Sequence, residues 1–300
     1  MRLLEFVHSA FQIAFLCCIA AVAVHAGTSF PIPEATTDSL EAVIEKSVGP
    51  KKVDLLNDAA YYIHRENFEK AKSNATKAFA IAVEQKYDRG EATALLNIGY
   101  VHFLRNKIDS SLICYNKAFA LIDQKKLRDL LPMAYNNMGL TLWRKSDFLG
   151  ALNNYKQAAL LARELGNVAE LGRAYNNIGL IYWKSGDYSE CNDFFLKALA
   201  IREELGEPFD RVTTINNLAR FYYEINDFKR CLEYSQKAFT IARSVDDKYG
   251  LGRAYSNIGF AYAGLKQYEK AIESLTKSLE MKQFSNDVPG IAFTLSEIGH

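Results

Sequence analysis

The sequence predicts an all-α solenoid of helix–turn–helix repeats, and three observations carry that prediction. First, asparagine recurs at a constant interval of 40 residues, as Asn57, Asn97, Asn137, Asn177, Asn217 and Asn257, with Glu297 in the seventh place. Second, a small residue follows each two positions later: Ala59, Gly99, Gly139, Gly179, Ala219, Gly259 and Gly299. Third, the chain is rich in Ala, Leu, Lys and Glu and holds only 6 prolines in 300 residues, which favours long helices. Self-similarity at a fixed period of this length is the signature of a repeat array.

The elements follow in order. Residues 1–26 open with Arg2, pass through the apolar run AFQIAFLCCIAAVAV, and close on Val24-His25-Ala26 before Gly27. That pattern reads as a cleavable signal peptide and so as an exported, periplasmic or secreted protein. The run is short for a membrane span, which needs about 20 residues, and Gln12 interrupts it; with Glu5 in the n-region, an uncleaved anchor is the lesser alternative. Residues 27–50 form a tether and an N-terminal capping helix, with Asp38 and Glu41 as a capping box and the helix ending near Ser47.

Residues 51–290 hold six repeats of two helices each. In the fourth, Tyr175, Ile178, Gly179 and Tyr182 share one face of a first helix, A, expected over about 172–185. Gly186 stops it and Asp187 caps a second helix, B, from Tyr188 to Leu205. Ser146-Asp147 and Asn226-Asp227 offer the same punctuation elsewhere, and Gly166 and Gly206 end B helices. The small column at Gly179 is expected to let helix A approach B at the Ala151 and Ala158 columns. Pro132, Pro208 and Pro289 are expected in the B-to-A connections. Residues 291–300 read as the first helix of a truncated seventh repeat, so a longer protein is expected.

Composition narrows function. Hydrophobic residues make up 49% and the formal net charge is +1, with no basic run that would mark a nucleic-acid partner. Membrane attachment is expected only through a transmembrane segment beyond these residues. Cys114, Cys191 and Cys231 are too sparse for a disulfide framework or a zinc site. No phosphate-cradling loop, nucleophile–His pair or metal-ligand cluster is present, so no catalytic residue and no cofactor is expected.

These columns resemble the tetratricopeptide repeat, in which an aromatic or Leu, then Leu-Gly, Tyr, Ala, Phe and Ala mark the two helices. In the fourth repeat Tyr175, Ile178-Gly179, Tyr182, Cys191, Phe195 and Ala198 occupy those places. The resemblance implies a right-handed superhelix, with two departures: a period of 40 instead of the common 34, and no closing Pro. It also implies a protein or peptide ligand in the concave groove lined by the A helices. An exported array of this type is similar to the sensory region of bacterial envelope signalling proteins. Three continuations stay open: a self-contained binding scaffold, a membrane histidine kinase or nucleotide cyclase, and a DNA-binding regulator.

Within helix A the face opposite Tyr175 and Tyr182 gives the candidate ligand residues. These are Asn136, Asn176 and Asn216, the recurrent Asn137, Asn177, Asn217 and Asn257, and Arg173, Arg220 and Arg253. An amide both donates and accepts, which suits a peptide backbone, and a guanidinium holds a carboxylate. The recurrent column has a second reading, in which each amide bonds to the neighbouring A helix and holds the stack. Trp143 and Trp183 repeat one position, as groove floor or as stacking surface. His102 and the cysteines Cys191 and Cys231 occupy packing columns.

Overall fold

A computed structural model describes residues 34–63, 67–284, 290–292 and 294–295. The signal and tether expected before residue 34, Pro289, and Glu297 to Gly299 lie outside the described residues. Helix α1 (Glu34–Lys46) precedes the array. It begins four residues before Asp38, which therefore sits inside the helix and not at its cap. Its Leu40 and Ile44 pack on Val53 and Leu56, and Glu41 pairs with Lys70.

Six A/B pairs follow: α2 (Gly49–Ile63) with α3 (Phe68–Glu84), α4 (Asp88–Leu104) with α5 (Ile108–Lys125), and α6 (Leu131–Arg144) with α7 (Phe148–Glu164). The last three are α8 (Val168–Ser185) with α9 (Tyr188–Leu205), α10 (Pro208–Glu224) with α11 (Phe228–Ser244), and α12 (Lys248–Gly264) with α13 (Tyr268–Phe284). Even-numbered helices are the A helices. Residues 290–292 and 294–295 continue in helical conformation, with Thr294 buried. Pro132 and Pro208 are not in the connections: they lie in the first turns of α6 and α10, where a missing N–H leaves no bond unmade.

The turns are set by local chemistry. Gly186 is left-handed at φ 82°, and Ser146 and Asn226 take the same conformation at φ 67° and 60°. The next residue then caps helix B: Asp147 Oδ1 accepts from Gly150 N at 2.9 Å and Asp227 Oδ1 from Arg230 N at 3.0 Å.

The A–B contact differs in one respect from the sequence expectation. A Cβ at Gly139 would stand 2.5 Å from Tyr155 Cε1, and one at Gly179 would stand 2.7 Å from Phe195 Cδ1. The small column therefore receives the large ring of helix B, four residues after the Ala151 column. Repeat five is small on both sides, with Ala219 in the glycine column and Ser235 in the ring column. Both are buried.

Successive A helices pack on one another, whereas no extensive contact joins successive B helices among the described residues. The A helices thus lie on the inner, tighter side of the superhelix and line its concave face.

Candidate functional site

The structure places every candidate asparagine inside the wall of the superhelix. Asn136 and Asn216 have no exposed surface, and Asn137, Asn176, Asn177, Asn217 and Asn257 are all buried. Their amides bond across A helices. Asn136 Nδ2 donates to Glu170 O at 3.0 Å, Asn216 Nδ2 to Gly250 O at 3.3 Å, and Asn257 Nδ2 to Asn216 O at 3.0 Å. Asn217 Nδ2 donates to Asn176 Oδ1 at 3.0 Å. Asn57 and Asn97 do the same at the start of the array, donating to Gly90 O and Asn57 O at 3.0 Å. Asn136 Oδ1 is buried without a partner. A ligand reaches the bonded amides only by displacing these interhelical bonds.

The arginines reach further toward the channel. Arg173 leaves 14% of its side chain exposed, donates to Glu170 Oε1 at 2.7 Å and Asn137 Oδ1 at 3.1 Å, and lies 6.0 Å from the Tyr61 ring centre. Tyr61 belongs to the first repeat, so this contact crosses the concave channel. Burial opposes the charge on Arg173, but Glu170 and the phenols of Tyr61 and Tyr100 outweigh it and hold the group well above its usual range. Arg220 sits between the rings of Tyr223 and Phe260, at 4.9 and 4.8 Å, with Glu224 Oε1 2.9 Å away. Arg253 donates to Asn217 Oδ1 at 2.7 Å. Gly250 occupies its equivalent of the Glu170 position, and Arg253 has no carboxylate partner among the described residues.

Trp143 and Trp183 are half-buried, edge-on to Phe148 at 5.0 Å and Phe195 at 6.4 Å. Cys191 and Cys231 are buried, and burial pushes both thiols up to about 12. His102 is half-buried and its pKa is lowered, first by burial and then by Lys107. Among the described residues no three His, Cys, Asp or Glu side chains stand close enough to hold a metal ion, and no helix is long and apolar enough to cross a membrane.

One carboxyl in the first repeat is strongly perturbed. Burial, followed by repulsion from Asp54 one turn earlier, pushes Asp58 up to about 6 from 3.8. The folded state then binds this proton more tightly than the unfolded state, so its contribution to stability falls as pH rises from 3.8 to about 6. Asp58→Asn is expected to raise stability at pH 7 by about 1–2 kcal/mol, allowing for partial exposure. Melting curves at pH 3.5 and pH 7 test this, with the gain expected only at the higher pH.

Two stretches, residues 130–204 and 210–283, match the tetratricopeptide-repeat family model. The chain is a tetratricopeptide-repeat protein. Such an all-helical array is typically a non-enzymatic scaffold for protein or peptide interactions. A search of curated proteins found no match. Solved structures share the fold. A Rap protein complexed with competence and sporulation factor superposes with a TM-score of 0.66 at 17% identity, over 87% of this chain and 78% of that one. BtubC (BKLC) from P. vanneervenii gives 0.61 at 17% identity, over 73% and 92%. A signal-transduction ATPase with a tetratricopeptide-repeat sensor, from Pyrococcus horikoshii, gives 0.63 at 17% identity, and the match spans 39% of that longer chain.

From the sequence Arg202 reads as part of a solvated face of helix B, and Lys282, Thr214 and Thr294 carry no role, yet all four are buried between repeats. Their signal was a second period, of 80, running beneath the first.

Proposed function

We propose that this array binds an extended peptide or protein segment along its concave face, with an anionic group of the ligand held at Arg253. The observation that carries the reading is the contrast between its arginines. Arg173 and Arg220 are neutralised by Glu170 and Glu224, while Arg253 directs a half-buried guanidinium with only Asn217 as its partner among the described residues. A guanidinium held by one amide keeps donors for a carboxylate. The peptide seen with the Rap protein supports a peptide as the ligand class for this fold. The ten candidate residues then divide by depth: the asparagines shape the wall, and the arginines meet the ligand.

The array acts outside the cytoplasm as the sensory or interaction part of a signalling protein; the apolar stretch before Gly27 supports the location, and the likeness to an ATPase sensor supports the role. The exported protein is expected to begin at Gly27, and the mass of its N-terminal fragment tests this; a retained Met1 in the mature protein contradicts it. Binding is tested by selecting random peptides on the folded chain and mapping hydrogen exchange. Protection is expected on α10 and α12, and protection confined to the B helices contradicts the concave site.

A further inference from the structure

Successive repeats are not joined alike. The helix B position that faces the next A helix reads Ala82, Ile122, Ala162, Arg202, Ala242 and Lys282. The position twelve residues later, on that A helix, reads Ala94, Ala134, Ala174, Thr214, Ala254 and Thr294. On helix B small and long side chains alternate with a period of 80, and on helix A Thr replaces Ala only opposite the two cations. The two cations lie alike: Arg202 Nη1 donates to Asp210 O at 2.6 Å and to Thr214 Oγ1, while Lys282 Nζ donates to Gly290 O at 3.3 Å and Thr294 Oγ1 at 2.7 Å. Each is 4% exposed. Gly252 makes room for the Lys282 stem, since a Cβ there would stand 3.0 Å from Lys282 Cγ, whereas a Cβ at Gly172 would meet Ile201 Cγ2 first, at 3.0 Å.

The packing alternates in step. Contact is more extensive between α3 and α4, α7 and α8, and α11 and α12 than between α5 and α6 or α9 and α10. The A helices follow the same order: α2 with α4, α6 with α8, and α10 with α12 pack more closely than α4 with α6 or α8 with α10. The distance between helix axes is set by the side chains at the contact, and Ala against Ala lets them close. The amide bonds to backbone obey the same division, since Asn57 to Gly90, Asn136 to Glu170 and Asn216 to Gly250 all lie within a closely packed pair of repeats.

We propose that the mechanical unit of this protein is a pair of repeats, and that pairs one–two, three–four and five–six move as rigid bodies about junctions at Ile122 and Arg202. This inference stands apart from the peptide reading. Close Ala–Ala packing loses much of its dispersion attraction within an ångström of separation; at the junctions Ile122 holds the axes apart and Arg202, bonded at its tip to Asp210 O and Thr214 Oγ1, keeps its partners through a small rotation. Movement at the two junctions changes the bore of the concave channel in steps. The contact between Tyr61 and Arg173 joins the first pair to the second across that channel, so opening at Ile122 parts it.

Exposed Asn116, Lys156, Leu196, Gln236 and Thr276 occupy one column of the B helices and provide matched label sites. Spin labels are attached there two at a time, with Cys17, Cys18 and Cys114 changed to Ser; Cys191 and Cys231 are buried and do not react. Electron–electron resonance then reads the distance distribution of each couple. Couples 116–156 and 196–236 cross junctions, and 156–196 and 236–276 lie within pairs. Both junction distributions are expected to be broader than both within-pair ones, by about twofold in width, as hinged bodies require. Any other ordering of the four widths, equality included, overturns the proposal.

Discussion

Tyr155→Ala is expected to destabilise the protein by about 3–5 kcal/mol, since it empties the space of a ring that is only 1% exposed. Gly139→Ala is expected to cost about 1–3 kcal/mol, because the new methyl would stand 2.5 Å from a ring that has nowhere to go. The double variant should cost clearly less than the sum, as each change relieves the other. Repeats one and five already carry small residues at both positions, Ala59 with Ala75 and Ala219 with Ser235. Denaturant unfolding of the four chains measures the coupling. Strict additivity would show that Gly139 and Tyr155 do not share one space.

The second large effect concerns the asparagines. Replacing Asn136, Asn176 and Asn216 together by Ala is expected to lower stability by several kcal/mol, at about 1–3 kcal/mol for each buried bond broken. Asn216→Ala alone removes the donor to Gly250 O and the Oδ1 that faces Asn257 Nδ2 at 3.3 Å. Asn176→Ala removes the acceptor of both Asn217 and Thr214. A triple variant with an unchanged melting temperature would refute the wall role.

The fold was legible because packing repeats in the sequence. The close approach of helices A and B needs a small residue, opposite a ring in repeats two to four, so the Gly139 and Gly179 column stays small through the array, and capping residues such as Asp147 and Asp227 recur with it. Helix faces were harder to read. Helical spacing puts Asn176 opposite Tyr175 and Tyr182, but that side of helix A is divided between the next A helix and the channel. Periodicity within one helix does not locate the division, which depends on how closely the neighbour packs. The guanidiniums reach past it on longer stems; the shorter amides do not.

The stretches LGRAYNNIG at 171–179 and LGRAYSNIG at 251–259 differ at one position, Asn176 against Ser256. Ser256 Oγ accepts from Lys282 Nζ at 2.7 Å, where Asn176 accepts from Thr214 and Asn217. The mismatch therefore follows the change of buried cation from Arg202 to Lys282. Their separation of 80 is the pair period, which an alignment at 40 averages away.

The ligand's charge is held at Arg253, and the stability of the wall rests on its asparagines. The most direct test is the affinity of a selected peptide for the unaltered chain and for Arg253→Ala. A loss of at least about tenfold, corresponding to 1.4 kcal/mol, measured at a temperature where both chains are fully folded, is the predicted result. Equal affinity for both chains would contradict it.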